Sequence, residues 1–404
     1  MTHPRWQQCD LAPRRVPLVG RDAREPGTSR RGAALLASFV AILLLSLVVV
    51  AMQHLATSDV RRSRDQGTAR RAQHAADAGA LDLLRRWRTI AHETLAVGGM
   101  IGPDSLHLTA AHAVTHTVRT SATGFWTVSE GRAGDSTTRT LARRLVHAAF
   151  RLAIPDLVAD AAFTVRDSLT LAGAARVSGH DTTMAAWGAL CPSPAPSAAV
   201  AMPDTLRLCD GWCGAGSGGG RVVGVPALMA DSGAGDTTRY RRFGRDDWAT
   251  LTRHAAVTLP PGAVVTPAPV VSGGTCDRAA HANWGEPGGA GPCAAFAPLI
   301  WARGDLELRG GMGQGVLLVE GDLTLSAGTR FAGVILVRDD VVSQGSGGTV
   351  LGAVLAEDAR IASGDHSRLD GTTRIQRSRC AIDLALSRSA RLTRVRHRWW
   401  APLR

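Results

Sequence analysis

The chain contains no lysine: all 46 of its basic residues are arginine. That absence excludes a phosphate-binding loop of the G-x-x-x-x-G-K-[ST] kind, a kinase-type lysine and a lysine Schiff base. Aromatic residues make up 4% of the chain, with one tyrosine, and Asn283 is the single asparagine. So few aromatics beside 45 Gly and 19 Pro argue against a helical bundle and suit a turn-rich β structure. A net charge of +12 points first to nucleic acid. The arginines are scattered, however, and read as a compositional bias; only the extreme C-terminus interleaves them with aromatics. No nucleic-acid partner is expected.

Charge is also missing from one long run. Gly32–Met52 holds 21 residues without a charge, Ser38 and Ser46 being its polar groups. As a helix it spans roughly 31 Å, close to the hydrocarbon thickness of a bilayer. A cleaved secretory signal is the alternative, with Val49-Val50-Ala51 as a small-residue site, but signal cores are usually shorter, about 7–15 residues. A retained anchor fits better, with membrane lipid as its partner. Arginine counts settle orientation poorly, with six before the span and five after it within twenty residues. The cysteines decide it: Cys9 precedes the span, while Cys191, Cys209, Cys213, Cys276, Cys293 and Cys380 follow. Six on one side suggest disulfides in an oxidising compartment, hence a cytoplasmic N-terminus and the bulk of the chain outside. Loop size suggests Cys191 with Cys209 and Cys276 with Cys293, leaving Cys213 and Cys380 to pair or stay free.

Taken in order, residues 1–31 read as a basic cytoplasmic tail and 32–97 as the span with a continuing helix. Ala69, Ala72, Ala76, Ala80, Leu83 and Trp87 form a small-to-apolar stripe on it, Gly67 is a candidate bend and Gly98-Gly99 a stop. That stripe suits packing on its own domain and packing on neighbouring subunits equally well. Segment 98–180 alternates like strands, so His112 and His116 share a face rather than a metal. Segment 181–296 is Cys-, Gly- and Pro-rich and reads as irregular. Its Gly214, Gly216 and Gly219 fit G-x-G-x-x-G without the flanking strand and helix, and Cys209 with Cys213 lacks further zinc ligands.

Segment 297–379 repeats itself. Gly315–Gly328 is echoed from Gly333 and again from Gly352, starts 18 and then 19 residues apart, with a degenerate earlier copy around Asp305. Such periods with short apolar strands predict a short parallel β-solenoid in a mainly β chain, with Val316, Leu318, Val334, Leu336 and Leu355 buried against one another. Residues 380–404 read as a basic tail. Asp305, Asp322, Asp339, Asp340, Asp358 and the Asp365-His366 pair are candidate acids and base for polysaccharide cleavage. Their repetition favours turn residues instead, needed once per coil rather than once per site. No catalytic residue, metal or cofactor is expected.

Arg31-Gly-Ala-Ala-Leu-Leu with its apolar run, followed by Arg71-Ala-Gln-His-Ala-Ala-Asp-Ala-Gly-Ala80, resembles the PilX N-terminal region of type IV pilus assembly proteins. The likeness covers about residues 30–90. It implies a minor pilin-like structural component of the bacterial inner membrane, contacting other assembly subunits through the N-terminal helix. Pilin-type leaders carry Glu five residues after the processing Gly, where this chain has Ala37, so processing does not carry over. The β-repeat portion has no counterpart in short pilins. A surface or polysaccharide ligand, an anchored β-helix carbohydrate-active enzyme and a polymerising membrane-anchored scaffold remain the alternatives for it.

Overall fold

The computed structural model describes residues 31–86, 95–134, 141–191, 195–210, 221–343, 345, 347–359 and 366–395. Two compact units divide the chain, 1–67 and 68–404. Helix α1 (Arg31–Arg86) has 56 residues and passes through Gly67 as regular helix. Within the first unit it is long and apolar enough to cross a membrane, and its described side chains from Leu35 to Gln66 are exposed except Ser58. The expected tail 1–31 lies outside the described residues except for Arg31, as do Trp87 and the catalytic candidate Asp365.

In the second unit, β1 (Met100–Leu108), β2 (Ala111–Arg119), β3 (Gly124–Gly134) and β4 (Leu141–Ala153) form an antiparallel meander. The strand Arg391–Arg394 completes it as a fifth member beside β4. Burial alternates along β3, as expected of a sheet covered on one face. The cover is the stretch of α1 carrying Ala76, Ala80 and Leu83, which packs on Phe125, Val146, Ala148 and Phe150.

Most of the rest of the unit is parallel, apart from two short antiparallel pairs, Arg242–Phe243 with Asp246–Asp247 and Val271–Ser272 with Thr275–Cys276. One sheet has eleven strands and another seven, and the chain alternates between them pass by pass. Leu299–Ala302, Met312–Val319, Arg330–Val337 and Thr349–Ala356 are neighbours in the larger sheet. Leu306–Leu308, Leu323–Leu325 and Val341–Ser343 are the matching neighbours in the smaller one. Each long strand turns at one position in the same register, Gly315, Gly333 and Gly352, with φ of 123°, 137° and 143°. There a Cβ on Gly333 would lie 2.0 Å from the Gly315 carbonyl oxygen, so only glycine fits.

Spatial order departs from chain order. Ala161–Val165 pairs with the end of Thr349–Ala356, with Phe163 opposite Val354, and Leu169–Leu171 pairs with Ser367–Leu369. Residues 161–230 therefore continue the sheets where residues 349–377 leave off. Val257–Leu259 and Ala263–Val265 form the opposite edge. Segment 181–296, expected to be irregular, thus supplies strands at both ends. The reason is length: runs such as Leu208–Asp210 and Ala263–Val265 are three residues long and carry no periodicity of their own.

Two further expectations are corrected, the C-terminal tail and one disulfide, while Val316, Leu318, Val334, Leu336 and Leu355 are buried in one cluster as expected. They face outward against Tyr240, Phe243, Trp248, Leu251 and Ile382, while Leu317, Val319, Ile335, Val337 and Val354 fill the interior. Strands buried on both faces carry no alternation from which to read parity. The segment 380–404 does not begin as a tail. Helix Arg379–Arg388, capped by the Ser378 hydroxyl accepting from the Ala381 amide at 3.1 Å, buries Cys380, Ala381, Ile382, Leu384, Ala385 and Leu386. Finally, Cys191 is bonded to Cys380, not Cys209, at a Cα separation of 5.2 Å. The turn carrying Trp187 packs that region onto the same helix face. The pair Cys276–Cys293 is present as expected, Cys209 is disulfide-bonded, and Cys213 lies outside the described residues.

Candidate functional site

Three features carry chemistry or contact. The first is α1. Between Leu35 and Val60 its Leu, Val, Ile, Phe and Met side chains are exposed around the whole circumference. The small-residue stripe further on is used within the chain itself. A Cβ on Gly131 would lie 2.0 Å from the Ala72 carbonyl oxygen, and one on Gly79 would lie 2.6 Å from Ser129 Oγ. Helix and sheet approach so closely there because the touching residues, Ala72, Ala76 and Gly79 against Ala113, Thr115, Ser129 and Gly131, are all small. Thr115 and Ser129 hydroxyls meet at 3.2 Å, Thr117 and Thr127 at 3.1 Å. The stripe therefore docks on its own sheet, while the apolar stretch before it is exposed.

The second feature is the acidic corner. The Asp305 carboxylate accepts the Asp322 amide at 2.9 Å, and the Asp322 carboxylate accepts the Asp340 amide at 3.1 Å. Ser367 Oγ takes up the series, donating to Asp340 at 3.4 Å and accepting the Val341 amide at 3.1 Å. Asp322, Asp339 and Asp340 bring carboxylate oxygens within 4.8 Å of one another. Asp358 is fully buried and has φ of 48°. His366 Nε2 lies 2.8 Å from Thr170 Oγ1. The ladder bonds use these acids to tie one pass of chain to the next, the use expected of a repeated turn residue.

Sequence reasoning missed the third feature, a cleft of about 340 Å³. It is assembled from the end of β4 (Ala153), a buried Asp246, His254, a loop with Arg278 and Phe296, and the segment Arg388–Arg391. Arg391 Nη2 donates to Asp246 at 2.6 Å, and its Nη1 stands 3.2 Å from His254 Nε2. A guanidinium has only donors, so the imidazole accepts and carries its proton on Nδ1. Burial first, then the Arg391 and Arg253 charges, push the His254 pKa below its ordinary value, against an opposing pull from Asp246. The Arg278 guanidinium sits 5.4 Å over the Phe296 ring, and Arg388 donates to the Ala294 carbonyl at 3.1 Å. A second cavity of about 680 Å³ shares Ala153, Pro155, Asp246 and Arg391, and adds Arg151, Asp156 and Arg245. These residues come from six separated stretches of chain, and no sequence window contains the set.

No family model and no curated protein matches the chain. Among solved structures, the crystal structure of the competence-associated pilin ComZ from Thermus thermophilus is similar at 13% identity, covering 83% of this chain and 98% of that one. The TM-score is 0.22, too low to carry an argument.

Proposed function

We propose that this chain is a membrane-anchored, minor pilin-like component of a type IV pilus or related assembly, with a structural rather than catalytic role. The observation that carries the reading is the division of labour along α1. One stretch is apolar around its circumference and exposed, and the next is locked by Gly and Ala contacts onto an antiparallel sheet. A span of about 20 apolar residues is what a bilayer crossing needs. The same exposed apolar surface is available to equivalent helices of other subunits. With the disulfides Cys191–Cys380 and Cys276–Cys293, the reading places the sheets outside an inner membrane and the N-terminus in the cytoplasm.

The parallel sheets are read as a short β-solenoid, supported by in-register pairing of successive passes and the repeated glycine turn. A role for the acids in bonding one pass to the next favours architecture over glycan cleavage. The scaffold alternative is disfavoured at one edge, where Pro260, Pro261 and Pro267 flank Val257–Leu259 and Ala263–Val265 and lack the N–H that strand addition needs.

Mass spectrometry of filaments sheared from the source cells tests the proposal. The chain is expected in the filament fraction, or cross-linked to filament subunits through cysteines placed at Leu44 or Val48. A chain abundant in membranes yet absent from filaments and from every such cross-link overturns it.

A further inference from the structure

We propose that the two adjoining cavities form a binding groove for an acidic oligosaccharide, one whose sugar rings carry carboxylates. The groove does not depend on the assembly reading, since it belongs to the folded chain itself. Arg278, Arg388 and Arg391 line the smaller cavity, and Arg151 and Arg245 join Arg391 in the larger one. Five guanidiniums and the carboxylates of Asp156 and Asp246 line the two cavities, so arginine outnumbers acid along the groove.

Guanidinium is the group that matches a carboxylate in shape as well as charge, with two parallel N–H donors. Volumes of about 340 and 680 Å³ are of the size that small ligands occupy, and their shared wall lets one chain run through both. The mixture of signs selects the ligand class. Asp156 and Asp246 offer acceptors for the hydroxyl protons of a sugar ring. Phe296, the aromatic residue of the smaller cavity, is 9% exposed and lies beneath Arg278, so it presents no open face for a base to stack on. Pro155, Leu251 and Pro298 supply apolar wall for the carbon face of a ring.

The test is fluorescence anisotropy with the full-length protein in detergent and a labelled oligogalacturonate. A neutral galactose oligomer of equal length and a single-stranded oligonucleotide serve as comparisons. Arg245 and Arg278 are exposed, so the double variant R245Q/R278Q keeps the fold, which its melting temperature checks. The expected result is saturable binding of the acidic oligomer, weakened by salt and at least tenfold weaker in the double variant with melting unchanged. The neutral oligomer should not compete. Absence of binding, equal binding of the neutral oligomer, unchanged affinity in the double variant, or tighter binding of the oligonucleotide each overturns the proposal.

Discussion

Along β3, residues Gly124 to Ala133 alternate between half-buried and buried, whereas from Phe331 to Val337 every residue is buried. The difference lies in what covers each sheet. The antiparallel sheet carries α1 on one face, so every second side chain meets the helix. The long parallel strands are covered twice. Leu317, Ile335 and Val354 point between the sheets, while Leu318, Leu336 and Leu355 meet Tyr240, Trp248 and the helix Arg379–Arg388. One-sided cover tolerates polar residues at alternate positions; two-sided cover leaves room for few, Gln314 and Thr164 among them.

The largest effect follows from that contrast. Leu336→Asn leaves an amide without water in an apolar cluster and removes packed methyl groups, so about 4 kcal/mol should be lost. Val128→Asn, at a half-buried position of β3, should cost about 1 kcal/mol, mainly through strand preference. Urea denaturation of the two variants in the same detergent measures the difference. Equal losses would mean that burial on both faces does not set the energetics of the parallel strands.

A smaller effect is expected where α1 meets its sheet. Gly131 faces the backbone of Ala72 and Ala76, so Gly131→Val must push the helix away or distort β3. Overpacking of this kind costs about 1–3 kcal/mol. Trypsin cleavage after Arg70 and Arg71 is the readout, and it should accelerate in the variant. Unchanged cleavage would show that the small-residue contact is a loose one, and the two regions would then differ less than their packing implies.

How much of this was legible in the sequence follows the same division. The long apolar helix was plain because Gly32–Met52 runs 21 residues without a charge or a proline. The stripe Ala72, Ala76, Ala80 and Leu83 was visible as a helix face, but not its target, because Gly131 gives no sign of what lies over it. The repeats from Gly315 to Gly364 announced parallel strands through period and glycine. Parity within them was hidden, since Leu317 and Leu318 are equally apolar and point opposite ways. The joining of residues 161–171 to the pass ending at Leu369 was hidden for another reason: strand pairing between segments about 200 residues apart leaves no local pattern. The same distance explains Cys191 with Cys380, where loop size favoured a nearer partner. The arginine groove, built from residues 151 to 391, was beyond reach on the same ground.

The smallest expected effect bears on whether the acidic corner is a fastening or a site. The Asp322 carboxylate accepts the Asp340 amide, and the Asp322 amide donates to the Asp305 carboxylate. Asp322→Ala removes the acceptor but leaves the Leu323 and Leu325 side chains buried, so the loss should be about 1 kcal/mol, one hydrogen bond. Asp322→Asn keeps an oxygen in the same place and should lose less than the alanine variant. The order matters more than the sizes. A corner whose job is to tie passes together must rank wild type above Asn and Asn above Ala in urea, because the amide oxygen still accepts. A corner whose job is to carry charge would rank Asn and Ala together, since both remove the carboxylate. Equal urea midpoints for the two variants, well below wild type, would therefore count against the fastening role and for a charge-dependent one.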